Sequence, residues 1–306
     1  MAPRLPILLC FDVEPDDKVV KGEADWAGFG PLVDLLTRYR PRLAAATGVP
    51  ARFSWFVRMD PQVRELHGSE DWPVTAFARE FQTLRDAGDE IGLHAHPWRR
   101  TPDGWISEFD DASWVEHCVR NSFKAYRRCF GRACRSFRFG DRWMDHRTMR
   151  LLDRLRVRFD LTLEPGQAGF PVSPDIDALM QGERPDYQAV PRHPYRPSSD
   201  DYRTPGRWPR RLRLTEIPIS TAPKNGAGGD GDGSRLGTLY LAEDGAAVCH
   251  HVDRLLADPG TRHIALPART DIAIRPEERA NLETILEHLV SHPERGRLRF
   301  ATPAEV

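Results

Sequence analysis

Four residues could do chemistry together if the fold brings them to one place. Asp12 and Glu14 stand in CFDVEPDD (10–17), and His94 and His96 stand in EIGLHAHPW (90–98). In an extended segment, residues i and i+2 face the same side, about 6.6 Å apart along the chain. Two imidazoles so placed can lean onto one ion with bonds of ~2.0–2.1 Å. One carboxylate then completes a three-ligand set with an open position, which suits zinc or another first-row divalent cation. A second carboxylate, not bound to the metal, can take a proton from water at such a centre.

The elements needed to converge these residues are legible in the pattern. Short β-like runs alternate with longer helix-like segments. Strands are expected at 5–11, 52–57, 90–96, 135–139, 158–164, 213–220, 263–268 and 297–302. Helices are expected near 30–46, 73–87, 113–129, 145–156, 245–257 and 277–291. Repeated βα units imply a mainly parallel sheet, and at this length a distorted (β/α) barrel of seven or eight strands. Reactive groups in such folds gather at the carboxyl ends of the strands. There the first strand ends in Asp12-Val13-Glu14 and the third in His94-Ala95-His96. The fourth carries Arg138, the sixth Glu216, and the seventh is followed by Arg269 and Asp271.

Two stretches break the rhythm. Residues 165–211 are rich in Pro, Arg and Asp, which reads as a long loop insertion over the rim of a single domain spanning 1–306. KNGAGGDGDGS (224–234) reads as a flexible Gly-rich loop.

Composition narrows the classes. The 306 residues carry 44 basic against 45 acidic side chains and are 40% hydrophobic. That gives enough apolar surface for a core and no basic field to hold nucleic acid or an anionic membrane. The five cysteines are odd in number and form no CxxC pair, which argues against a disulfide framework. Cys10 falls inside the first apolar run and reads as a small buried hydrophobe. No run approaches a membrane span of about 20 residues. The expectation is a soluble, cytoplasmic protein.

A family resemblance follows from the order of the blocks. CFDVEPDD, ARFSWFV (51–57), DAGDEIGLHAHPW (86–98), SFRFGDRWMDHRTMRLLDRLRVRFDLTL (136–163) and RGRLRFATPAEV (295–306) together resemble the polysaccharide deacetylase family with a NodB-type domain. The resemblance implies a distorted (β/α) barrel that hydrolyses amide C–N bonds with a divalent metal, here expected to be zinc, and that acts on a carbohydrate or small-molecule substrate, most often by removing an N-acetyl group from a sugar. Asp12 would be the catalytic base, Glu14 a metal ligand, and Arg138 the group that orients the base. Of the family's two metal histidines the first is His94. The position of the second is Trp98, so His96 is expected to substitute. The family's last motif offers a histidine that protonates the departing amine. HIALPARTD places Arg269 or Asp271 there, with His263 at the opposite end of the strand, so that acid is unassigned. Trp98, Trp143, Glu216 and Arg269 are expected to shape the substrate pocket. The rival readings are a hydrolase of cyclic amides or ureides, and a silent relative that binds a glycan or a partner.

Overall fold

The structure is a computed structural model that describes residues 4–17, 25–172, 180–223 and 236–306. The Gly-rich stretch 224–234 lies outside the described residues. In chain order the strands are β1 (Leu5–Val13), β2 (Ser54–Arg58), β3 (Glu90–Ala95), β4 (Trp98–Thr101), β5 (Gly104–Glu108), β6 (Ser136–Phe139) and β7 (Phe159–Asp160). Then follow β8 (Phe170–Val172), β9 (Met180–Arg184), β10 (Thr215–Glu216), β11 (Thr221–Pro223), β12 (Leu236–Thr238), β13 (Ile264–Arg269) and β14 (Leu298–Phe300).

The main sheet runs β10-β7-β6-β3-β2-β1-β13, with β14 also paired to β1, and every pairing in it is parallel. Helices such as Phe29–Thr47, Ala112–Phe130 and Pro276–Ser291 connect these strands. The expected architecture is therefore present, as a curled parallel sheet wrapped by helices. The gap between β10 and β13 is spanned by backbone: Ile219 donates to the Leu163 carbonyl and Ser220 to that of Ala265, both at 2.9 Å.

Alternation along β1 sorts its residues onto two faces. Ile7, Leu9, Phe11 and Val13 join the large cluster between sheet and helices. Leu8 and Cys10 join the small cluster inside the barrel, with Phe56, Leu161, Ile217, Ile219 and Ala265. Asp12 and Glu14 continue that inner row at the strand's carboxyl end. On β3 the same logic sends Ile91, Leu93 and Ala95 outward, and Gly92, His94 and His96 inward. A Cβ at Gly92 would lie 2.5 Å from the Ser136 carbonyl oxygen and 2.8 Å from the Phe56 ring, so the interior has no room there for a side chain.

Local signals account for several helix ends. Asp60 accepts hydrogen bonds from the Gln62 and Val63 N–H groups with Pro61 in the first turn, starting the helix Pro61–His67. Asp111 does the same for Ala112–Phe130, which ends on Gly131 at φ 63°. The expected helix 73–87 is two, Trp72–Ala76 and Ala78–Asp86, broken at Phe77. The insertion 165–211 is not one irregular loop. It contributes β8 and β9, which join the hairpin β4–β5 in a second, four-stranded sheet.

His263 sits just before β13, at the end of the barrel away from the strand ends that carry the acids. It is buried, and its Nε2 lies 2.6 Å from the Pro218 carbonyl. Burial pushes its pKa down from 6.5 to about 4. Between those values the unfolded chain binds a proton that the folded chain refuses. The stability this group contributes is thus fully present above pH 6.5 and is lost as pH falls to about 4, on the order of 3 kcal/mol in all. Urea unfolding at stepped pH through this window should show a shallower loss for His263→Gln than for the parent, by about 1 kcal/mol per pH unit.

Candidate metal and catalytic site

At the carboxyl ends of β1, β3, β6 and β13 lies a cavity of about 350 Å³. Its walls include Asp12, Glu14, His94, His96, Trp98, Arg138 and Arg269. The fold thus brings together both carboxylates, both histidines and both arginines singled out from the sequence.

Glu14, His94 and His96 form a triangle of ligand atoms, all three side chains buried. His94 Nε2 lies 3.0 Å from His96 Nε2. Glu14 Oε2 lies 3.3 Å from His96 Nε2 and 3.9 Å from His94 Nε2. A tetrahedral ion with bonds near 2.0–2.1 Å separates its ligand atoms by about 3.3–3.4 Å. The triangle fits such an ion, with one position left open toward the cavity.

The outer nitrogens of the two rings fix their tautomers. His94 Nδ1 faces the Arg138 carbonyl oxygen at 3.0 Å, and His96 Nδ1 faces Asp141 Oδ2 at 3.0 Å. Both acceptors demand a hydrogen on Nδ1. In neutral rings this leaves two Nε2 lone pairs facing each other, a repulsive contact that a cation must relieve. Without metal that cation is a proton on His96. Burial opposes it, but the Asp141 carboxylate and the Glu14 hydrogen bond outweigh burial and hold the His96 pKa at about 9. His94 goes the other way: burial pushes it down to about 4. For Glu14, burial favours the neutral acid but is outweighed by Arg269 and the two histidines, which hold the carboxyl well below the ordinary range. A negative oxygen and two imidazole nitrogens therefore point at one spot.

Asp12 stands beside this triangle and is gripped by Arg138, whose Nε lies 3.1 Å from both carboxylate oxygens. Arg138 is itself anchored through Nη1 to the Leu161 carbonyl oxygen at 2.9 Å. Arg269 is committed to the wall: its Nε pairs with Glu14 Oε1 at 3.1 Å, and its Nη2 donates to the Pro15 and Asp16 carbonyls. Asp271 pairs with Arg269 and Arg275. Trp98 lines the cavity with its ring stacked on His96, 6.1 Å between centroids.

Two expected pocket residues lie elsewhere. Trp143 stacks on Phe109 and packs against Phe139 outside the cavity lining. Glu216 is buried beside Asp160, and its Oε1 accepts the Leu163 N–H. Its neighbour Ile217 belongs to the barrel interior, so alternation turns Glu216 the other way. The described part of 165–211 contributes nothing to the lining. It supports the rim from outside, with the Tyr187 and Tyr202 hydroxyls donating to the Arg142 and Met144 carbonyls, both at 2.8 Å.

Sequence reasoning missed the turn after β6. Asp141 and Arg142 both adopt left-handed backbone, φ 52° and 58°, a conformation unusual for residues with a side chain. There Asp141 reaches His96 and is steadied by Ser107 Oγ of β5 at 3.1 Å, while Arg142 reaches Glu164. Before them, Gly140 lies so close to the His96 ring that a Cβ would approach it to 2.2 Å. The GD pair directly after an Arg-bearing strand was the available signal. Also missed were Arg58 and Asp60, which pair at 2.8 Å while Asp60 accepts the His96 backbone N–H. A second cluster, Asp253, His288 and His292, differs in kind. There His292 Nδ1 accepts the Glu294 N–H, so its Nε2 carries the hydrogen that faces Asp253. That is a hydrogen-bonded clamp between two helices.

No family model matches the chain, and no curated protein matches it. Solved structures do. One, from Parabacteroides distasonis and assigned as a glycoside hydrolase/deacetylase, superposes with a TM-score of 0.64 at 14% identity, covering 100% of this chain and 71% of the other. Another, from Mycobacterium smegmatis and assigned as a polysaccharide deacetylase, gives 0.53 at 14% identity, covering 100% and 90%. The chain thus shares the fold of deacetylase-type barrels, as its sequence blocks imply.

Two substitutions test the outer support of the site. With zinc as the test ion, Asp141→Asn should hold it about 10–100-fold more weakly than the parent does, because the carboxylate that orients His96 and raises its basicity is gone. Gly140→Ala should weaken it at least as much by displacing the ring. Competition titration of both proteins against a chromogenic zinc chelator measures these losses, with circular dichroism confirming the fold.

Proposed function

We propose that this chain is a metal-dependent hydrolase of an acyl amide C–N bond, acting on an N-acetyl group of a sugar or sugar-like molecule with zinc as the ion. One observation carries the reading: a carboxylate oriented by a buried arginine stands beside a buried three-ligand triangle, and both open into one cavity. The likeness to deacetylase-type barrels supports the substrate class.

Glu14, His94 and His96 would hold the ion, which when bound polarises the carbonyl and acidifies water. The rest follows from the chain's own groups. Arg138 pins both oxygens of Asp12, so the carboxylate keeps one orientation as it accepts a proton from the attacking water. Arg269 draws on the other oxygen of Glu14, leaving Oε2 turned to the histidines. Trp98 gives the cavity an indole wall beside His96, a surface suited to the apolar face of a sugar ring.

Asp12→Asn should keep the zinc content of the parent and lose about 10²–10⁴-fold in turnover, since an amide accepts Arg138 hydrogen bonds less well and takes no proton. Glu14→Gln, His94→Ala and His96→Ala should instead fall to substoichiometric zinc. Elemental analysis with acetate release from N-acetylated chito-oligosaccharides measures both quantities. Retained metal in Glu14→Gln with loss in Asp12→Asn would exchange their roles. A parent protein that binds no added zinc would favour the silent, glycan-binding reading.

A further inference from the structure

An amine leaves a tetrahedral intermediate only if it gains a proton as the C–N bond breaks. Under the amide-hydrolase reading proposed above, the donor must stand on the cavity wall. The carboxyl end of β13 holds Arg269, which is committed to Glu14 and to the Pro15 and Asp16 carbonyls. Guanidinium groups do not release their protons in any case, which also removes Arg138 and Arg142, and the Trp98 indole is a donor that keeps its hydrogen. Thr238 already gives its hydroxyl hydrogen to Glu164 at 2.6 Å. Asp141 and Glu164 are engaged as acceptors, the first from His96 and Ser107, the second from Arg142, Gln167 and Thr238.

Tyr240 meets the requirement. It lines the cavity half-buried, and its hydroxyl makes no hydrogen bond to any described residue. Its place is set by the backbone. Leu239 donates to the Ser220 carbonyl at 2.9 Å and Leu241 to that of Pro267 at 3.0 Å, which lays residues 239–241 alongside β13. Leu239 and Leu241 are buried in the large core, and Tyr240 between them packs in part on that core and in part lines the cavity. Burial, with the Asp12 and Glu14 carboxylates nearby, holds the phenol well above its ordinary pKa, so it keeps its proton until it meets a base as strong as the departing amine nitrogen.

We propose that Tyr240 is the proton donor to the departing amine nitrogen. Asp12 takes one proton from water as the water oxygen bonds to the carbonyl carbon. The carbonyl then re-forms and the C–N pair moves onto nitrogen, which receives the Tyr240 hydroxyl proton. Asp12 returns its proton to the Tyr240 phenolate. The products are a carboxylic acid and an amine, and both side chains end as they began.

Tyr240→Phe removes a single oxygen and keeps the ring. The probes are para-nitroacetanilide, whose aniline must be protonated to leave, and para-nitrophenyl acetate, whose phenolate leaves as an anion. With zinc content equal to the parent's, the variant should lose about 10²–10⁴-fold in kcat on the amide with KM little changed, and stay within a few-fold of the parent on the ester. Equal losses on both probes would place the hydroxyl on the oxyanion and overturn the assignment, as would no loss on either. Glu243→Gln, altering another cavity-wall group, is the competitor: an amide-selective loss there in place of Tyr240→Phe would also overturn it. A zinc-loaded parent that hydrolyses neither these probes nor N-acetylated chito-oligosaccharides would defeat the hydrolase reading itself, and the Tyr240 assignment with it.

Discussion

Two imidazole nitrogens 3.0 Å apart, each with its far side committed to an acceptor, cannot both be neutral and at ease. The lone pairs repel, and burial prevents water from screening them. The interior around β3 is arranged to make this contact and to supply what relieves it. Glu14 faces the pair from β1, two strands away, and Asp141 supports it from behind. Because β2 lies between β1 and β3, the ligand set exists only when three strands are in register. An ion held there would therefore be linked to correct sheet assembly, each stabilising the other.

The second requirement, under the proposed hydrolase reading, is that the base be close to this pair and yet separate from it. One strand achieves both. Asp12 and Glu14 share a face of β1, but each has its own arginine: Arg138 from β6 for the first, Arg269 from β13 for the second. The two guanidinium groups approach from opposite sides of β1 and draw the carboxylates apart. Buried pairs of this kind are weak sources of stability, since desolvation offsets most of the attraction. Their effect here is orientation, and each would leave a costly unpaired charge if its partner were removed.

Much of this was readable in the sequence because strand periodicity is simple. The DVE and HAH spacings each put two side chains on one face, and the barrel places both at one rim. Arg138 followed from the same reasoning. Glu216 did not, because a polar residue at a strand end has two faces to choose from, and only the position of Ile217 inside the barrel decides which. Trp143 likewise packs outside the cavity wall, against Phe109 and Phe139. The turn 140–143 was hard to read for a different reason, the GD pair being a weak signal on its own. Left-handed conformation at Asp141 and Arg142 has no strong residue signature, and their partners lie more than twenty positions away along the chain. The hairpin β4–β5 and strands β8 and β9 depend on one another for pairing, so no single segment announced them.

That turn has an evolutionary consequence. Holding two side-chain-bearing residues in left-handed backbone costs on the order of 1 kcal/mol or more at each. Glycine at either position would relieve that strain. It would also remove the carboxylate behind His96 or the guanidinium beside Glu164. At Asp141 that loss leaves a buried imidazole without its partner and outweighs the relief, whereas Glu164 keeps the Gln167 and Thr238 donors without Arg142. A library screened for thermal tolerance alone should therefore drift toward glycine at 142 only, and persistence of Arg142 there would report selection for function.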